Sequence, residues 1–169
     1  MCSPEKQDDY EGKHTMLKKL ICCGLILTVT MIIMLGYTAV ASDIPADVEK
    51  ILREIRQDQP VPALSYLKRA KSINQGCAYY RGNYNGIEIT VETHPDSNRV
   101  SSVLLQISGE DRTKQVLPAV KRVIGPPRYS SPKESQYGWE WPKYRSASVH
   151  YVRGDKSGEG ITVVSLFYQ

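Results

Sequence analysis

Few residues of the chain have the side chains that covalent or acid–base chemistry needs. After residue 41 there are two histidines, His94 and His150, and one cysteine, Cys77. A thiol, an imidazole and a carboxylate placed together would form a thiol-hydrolase site. Neither Cys77 nor His150 lies in a motif of such an enzyme, and His94 precedes Pro95 in a predicted turn. A small hydrolase that uses Cys77 and His150 is therefore a remote alternative.

Sequence motifs for metals, nucleotides and acyl transfer are missing. The chain has no H-E-x-x-H, no CxxC pair, no glycine-rich phosphate loop and no G-x-S-x-G. Glu88 and Glu92 share one side of a predicted strand, where a solvated surface explains them better than an acid–base pair would. We predict a protein that is not an enzyme and that uses no metal and no cofactor.

Aromatic and basic side chains are the more informative group. Residues 135–145 read SQYGWEWPKYR and hold both tryptophans of the chain. Tyr and Trp join a large apolar ring to a polar group and, together with Arg, are enriched at protein–protein contacts. The predicted partner-binding residues are Tyr80, Arg81, Tyr84, Arg128, Tyr137, Trp139, Trp141, Tyr144 and Arg145.

These rings could serve either side of a sheet. Residues 87–93 alternate apolar and polar types, which predicts one side packed under helices and one side in water. Both tryptophans fit the core as well as an interface. Tyr80, Tyr84 and Tyr144, with the arginines beside them, are predicted to point to the solvated side and to contact a partner.

The first 41 residues predict export. Residues 1–15 are a polar prefix, and a basic segment follows it. Residues 20–40 carry no charge, and Ala39 and Ala41 stand where a signal peptidase requires small residues. We predict a signal peptide at residues 16–41. The alternative is an uncleaved anchor, because a run of 21 residues without charge is long enough to span a bilayer.

Both alternatives export residues 42–169, enough chain for one domain. The predicted location is the periplasm or the exterior, or the periplasmic side of the inner membrane if the anchor stays. This part holds 18 Lys and Arg against 14 Asp and Glu, a dispersed net charge of +4. That pattern excludes nucleic acid as the expected partner and mildly suits an acidic protein. With Cys77 alone in this part, no intrachain disulfide is predicted.

Apolar periodicity and turn residues predict the elements. Pro62 can begin a helix, Pro118 is expected only in the first turn of one, and Gly125 is expected to end one. We predict helices at residues 46–57, from residue 62 and around residues 116–124. The predicted strands are residues 77–81, 86–93, 100–108, 137–141, 147–153 and 161–168, with a polar loop at 128–135.

The second half matches the first at a shift of 60 residues. Ile87, Ile89 and Val91 fall on Ala147, Val149 and Tyr151, while Val103 and Ile107 fall on Val163 and Phe167. We predict two similar halves, about residues 42–109 and 110–169. The expected fold class is α+β, with tandem helix-plus-three-strand units that form an antiparallel sheet with helices on one face.

The last part of the chain resembles a family of small envelope proteins. A helix that stops at Gly125-Pro126, a Trp-bearing strand at residues 137–141 and two closing strands are similar to the β-lactamase inhibitor protein. That inhibitor has two such units, and the outer-membrane assembly accessory BamE has one. The chain lacks the paired cysteines of the inhibitor and the lipid-anchor cysteine of BamE.

The resemblance implies a binding function. We expect an exported, non-enzymatic protein-binding domain that acts as an enzyme inhibitor or toxin-neutralising immunity protein by covering the active site of its partner. The expected partner is an envelope or periplasmic enzyme or toxin. The alternative is an envelope assembly or scaffold factor with a role like that of BamE.

Overall fold

The structure is a computed structural model that describes residues 43–142, 145–154 and 158–168. The predicted prefix, the predicted signal peptide or anchor, and Tyr144 lie outside these ranges. Within the described ranges, no helix is long and apolar enough to cross a membrane.

Two helices and eight strands make up the fold. The helices are α1 (Ile44–Glu54) and α2 (Thr113–Ile124). The strands are β1 (Leu67–Ala70), β2 (Tyr79–Tyr84), β3 (Ile87–Thr93), β4 (Val100–Ser108), β5 (Tyr129–Ser131), β6 (Gln136–Trp141), β7 (Arg145–Val152) and β8 (Ile161–Tyr168). Every pair is antiparallel, and the sheet order is β1-β2-β3-β4-β8-β7-β6-β5. The predicted α+β class with an antiparallel sheet is confirmed.

Helix α1 starts two residues before the predicted helix and ends three residues earlier. The side chain of Asp43 accepts a hydrogen bond of 3.3 Å from the amide of Ala46, which caps the first turn. Val48, Ile51 and Leu52 form its buried stripe. Ile55 is already extended, so the helix stops there.

The helix predicted from Pro62 is wrong. Residues 61–66 form an irregular segment and a turn, and the chain then enters strand β1. Leu67 is buried and lies opposite Gly82 of β2, so a partner outside the local segment decides its conformation. A tertiary contact of this kind overrides local helix preference.

Helix α2 starts three residues before the predicted segment, which places Pro118 one turn inside it. Asp111 accepts hydrogen bonds from the amide of Thr113 at 2.9 Å and from its hydroxyl at 2.6 Å, and these contacts fix the start. Pro118 has no N–H to donate to the carbonyl of Lys114, and both residues lie on the exposed side of the helix. The expectation that Pro118 occupies the first turn was therefore wrong. Gly125, with a φ of 87°, ends the helix as predicted.

The inner face is the side of the sheet on which Ile87, Ile89 and Val91 lie, and the outer face is the opposite side. Ile89 of β3 pairs with Leu105 of β4, which pairs with Val164 of β8, so the inner face extends across these three strands. Apolar residues of both helices and of this face form one buried core. The carboxylate of Glu49 on α1 also accepts a 2.6 Å hydrogen bond from Nε of Arg122 on α2.

The side chains of strand β8 lie on the opposite faces of the sheet from those predicted. Thr162, Val164 and Leu166 lie on the inner face, so Val163 and Phe167 are outer-face residues rather than counterparts of Val103 and Ile107. A shift of one residue moves every side chain of a strand to the other side. The strands predicted at 86–93, 100–108 and 161–168 are confirmed within a residue, and β5 lies inside the predicted polar loop.

Candidate functional site

The structure separates the predicted partner-binding residues instead of gathering them on the outer face. Tyr137 and Trp139 are 6% and 3% exposed and belong to the core. Their register partners Val149 and Ala147 are inner-face residues, and the small Ala147 leaves room for the indole. The indole Nε1 donates a 2.8 Å hydrogen bond to the carbonyl of Gly125 at the end of α2. The structure therefore places both rings in the core, the alternative that the sequence left open for the tryptophans.

Tyr80 and Tyr84 also lie on the inner side, because they pair with Val91 and Ile87 of β3. The Tyr84 hydroxyl accepts a 2.6 Å hydrogen bond from Nζ of Lys50, whose ammonium lies 4.4 Å from the ring centroid. The Tyr66 ring lies 4.9 Å from that of Tyr84. These contacts attach α1 to the edge of the sheet. The prediction that both tyrosines point to the solvated side was wrong.

Trp141 and Arg145 face each other across β6 and β7 at the end of the inner face. The guanidinium carbon of Arg145 lies 5.0 Å from the centroid of the Trp141 ring, a cation–π arrangement. Nη2 of Arg145 donates a 3.4 Å hydrogen bond to Oε1 of Gln57. Both residues are half-buried on the helix side and take no part in the outer face.

Only Arg81 and Arg128 remain exposed among the described members of the predicted set. Arg81 lies on the outer face of β2, opposite Thr90. Arg128 precedes β5 and lines a shallow pocket of ≈ 380 Å³ together with Tyr129 and Glu140. Of the two, Arg81 is the one that a sheet register places on the predicted surface.

A different feature distinguishes the outer face. Three adjacent strands in the middle part of the sheet, β4, β8 and β7, carry no Asp, Glu, Lys or Arg there, and we call this region the uncharged centre. The outer residues of these strands are Ser102, Leu104, Gln106, Ser108, Ile161, Val163, Ser165, Phe167, Ser146, Ser148, His150 and Val152. The strands on either side carry charged groups on this face: Glu88 and Glu92 on β3, with Arg81 and Lys68 on the strands beyond it, and Glu140 on β6.

Two apolar side chains stand out at opposite ends of these uncharged strands. Phe167 is 46% exposed and Val152 is 49% exposed. Phe167 lies between Ser102 and Ser146, whose small side chains leave the ring uncovered on both sides. Sequence reasoning missed this site because it assigned Phe167 to the core.

A chain of polar side chains lies near the middle of the same face. The Ser148 hydroxyl is 2.8 Å from that of Ser165 and 3.1 Å from Nδ1 of His150. Burial lowers the pKa of the His150 imidazole, so the ring is neutral at physiological pH. The neighbours of His150 across the strands, Gln136 and Val163, carry no charge. The face thus stays uncharged at its centre.

The geometry does not assemble the thiol-hydrolase set. Cys77 precedes β2, whereas His150 lies on β7, four strands away, or roughly 19 Å at the usual strand spacing. Burial and the nearby Glu92 raise the pKa of the Cys77 thiol, which favours its less reactive protonated form. In the described part of the chain, no three His, Cys, Asp or Glu residues are placed to hold a metal ion.

Comparison with protein-family models, curated proteins and solved structures finds no match to this chain.

Proposed function

We propose that residues 43–168 form a protein-binding domain that contacts its partner through the outer face of the sheet. The observation that carries the proposal is the uncharged centre formed by β4, β8 and β7, with charges only on the strands around it. Depletion of charge at the centre of a surface, with a polar rim, is typical of protein–protein interfaces.

The size of the face fits this role. Eight strands at about 4.8 Å spacing give a width of roughly 34 Å, and the eight residues of β8 give a length of about 27 Å. The resulting area, roughly 900 Å², is close to the 800 Å² or so that one partner contributes to a standard interface. Phe167 and Val152 would be its main apolar contacts.

The partner that suits this domain is a folded, weakly acidic protein that offers an apolar contact. The exported part of the chain carries a net charge of +4, and the strands that flank the uncharged centre carry Lys68 and Arg81 as well as Glu88, Glu92 and Glu140. Such a charge steers association with an acidic surface, so the association rate should fall as salt rises.

Inhibition of an enzyme or neutralisation of a toxin is the leading form of this function. A broad sheet face can cover the mouth of an active site without any chemistry of its own. Export through residues 16–41 would bring the domain to a periplasmic or secreted partner. The alternative is an envelope assembly factor, which the uncharged segment 20–40 favours, because such a segment can tether the domain to the membrane.

We also propose that the two halves arose from one helix-plus-four-strand unit. Each helix is followed by four strands in consecutive order, and β4 and β8 pair at the centre of the sheet. A shift of 68 residues places Val48, Ile51 and Leu52 of α1 on Val116, Ala119 and Val120 of α2, and all six are buried. Strands β3 and β7 keep the shift of 60 with inner residues on inner residues.

The proposed face can be tested with Phe167→Ala. The immobilised wild-type domain captures partners from an envelope extract, and the captured protein is purified and titrated against both forms. Loss of this exposed aromatic contact should weaken binding about tenfold or more. Ile73→Ser is the matched control, because Ile73 is 69% exposed but lies in the loop between β1 and β2. Equal affinity of Phe167→Ala and wild type would rule out this face.

The activity of the captured protein distinguishes the two functions. The inhibitor proposal expects a soluble enzyme or toxin whose activity falls in proportion to the bound domain. The assembly alternative expects integral membrane proteins that keep their activity when the domain binds.

A further inference from the structure

A cavity of ≈ 440 Å³ lies on the inner side of the sheet, where both helices end. Its floor is apolar and consists of Leu52, Ile55, Val123, Ile124 and Leu166. This volume falls within the range of cavities that hold small molecules. The cavity is on the opposite side of the sheet from the outer face, so a ligand here would leave that face free.

Hydrogen-bond donors dominate the polar part of the lining. The Nε atom of Arg145 and the Nε2 atom of Gln57 are buried, and neither has a hydrogen-bond partner. The acceptor oxygen of Gln57 is already used by Arg145. A buried donor without an acceptor is destabilising, and more so when it carries charge. These two donors therefore favour a ligand that brings an acceptor.

The lining is also positively charged. Arg56 donates through Nε to the carbonyl of Arg53 at 3.0 Å, and its side chain is exposed and belongs to the lining of the cavity. Arg53 contacts the carboxylate of Glu49 at 2.8 Å and shares it with Arg122. Across the described ranges, no carboxylate forms an ion pair with Arg56 or Arg145.

The ends of the helices reduce this charge only in part. A helix C-terminus carries the equivalent of about half a negative charge, and α1 and α2 both end at the cavity. Two guanidinium groups supply two full positive charges, and a planar guanidinium binds a carboxylate through two parallel hydrogen bonds. The balance favours an anion.

We propose that this cavity binds a small amphiphilic carboxylate, with its charged group at Arg145, Gln57 and Arg56 and its apolar part on the half-buried Val123 and Ile124. Binding requires both the negative charge and the apolar chain of the ligand. A short carboxylate lacks contact with the floor, and an alcohol of the same length offers a single neutral acceptor, which cannot balance the charge of the guanidinium groups.

Octanoate is a suitable probe, and Trp141 is a reporter because its ring lies 5.0 Å from the guanidinium carbon of Arg145. Titration of the whole exported chain should change the tryptophan fluorescence in a saturable way and shift the amide resonances of residues 52–59, 123–125 and 166 in a ¹H–¹⁵N spectrum. Acetate, inorganic phosphate and 1-octanol should each bind at least about tenfold more weakly.

Arg56→Gln is the test variant, because its exposed side chain is not needed for folding, and it should weaken octanoate binding about tenfold. Arg122→Gln is the matched control: Arg122 is an exposed arginine of the same helix pair that lies outside the lining. Equal binding by 1-octanol, equal binding by Arg56→Gln and wild type, or resonance shifts confined to the outer face would each overturn the proposal.

Discussion

The inner and outer faces use the same eight strands, and their side chains meet different surroundings. Neighbours on β4 show the contrast: Leu105 is fully buried beneath the helices, whereas Leu104 is half-buried on the outer face. Aromatic residues follow the same division, with Trp139 inside and Phe167 outside. Residue type alone therefore does not assign a side chain to core or surface in this protein; the register of its strand does.

The largest expected effect is the difference between two leucine substitutions on one strand. Leu105→Ala should cost about 2–5 kcal/mol of unfolding free energy, because it leaves a cavity in the core. Leu104→Ala should cost about 1 kcal/mol or less, since its side chain already contacts water. Urea unfolding measures both, and equal losses would contradict the assignment of faces.

A pair of glycines gives the next largest contrast. A Cβ atom at Gly82 on the inner side would overlap the backbone carbonyl oxygen of Tyr66, so Gly82→Ala should lose about 1–3 kcal/mol. A Cβ at Gly138 on the outer side meets only ordinary contacts with Tyr129, so Gly138→Ala should change stability by about 0.5 kcal/mol or less. Thermal unfolding tests both, and a larger loss at Gly138 would reverse the expected order.

His150 on the outer face should make the free energy of unfolding depend on pH in the mildly acidic range. Burial lowers the folded-state pKa of His150, so protonation favours the unfolded chain. The stability from this group is complete above the ordinary imidazole pKa of about 6.5 and is lost as pH falls through that value toward the lower folded-state pKa. His150→Gln should remove the resulting decrease between about pH 7.5 and 5.5, whereas His94→Gln should keep it. An unchanged pH profile of His150→Gln would contradict the burial of its imidazole.

The smallest expected effect comes from the exposed ion pair between Glu49 of α1 and Arg122 of α2. Hydrogen bonds from Arg53, and then from Arg122, lower the pKa of the Glu49 carboxyl. Its contribution is present above the unfolded-state pKa and is lost as pH falls through the folded-state value. Glu49→Gln should lower the melting temperature slightly, and high salt should remove the difference. A large, salt-independent loss would show that Glu49 is more than a surface ion pair.

The sequence predicted the limits of the strands better than it predicted which face of the sheet each side chain lies on. Strand β3 alternates without exception, and its limits and inner face were predicted correctly. Strand β8 lacks such an alternation of apolar and polar residues, because residues 162–166 are buried on both faces of the sheet. The sequence therefore does not show which of them face the helices. The outer position of Phe167 follows only from pairing with β4 and β7.

The candidate site was predicted less well because it depends on register. Tyr79 and Tyr80 are consecutive in β2, so one of the two rings lies on the outer face whichever way the strand faces. Pairing with β3 places Tyr80 and Tyr84 inside and Tyr79 outside. The cavity at the helix ends joins Gln57 and Arg145, which are far apart in the chain, and no local pattern connects them.

The two outermost strands limit what can attach to the sheet by backbone hydrogen bonds. An unpaired strand edge is a template for addition of another chain, and proteins protect it with shortness and charge. Strand β5 has three residues, and β1 has four, two of which are the exposed Lys68 and Arg69. Growth into fibrils by strand addition is therefore disfavoured at both ends.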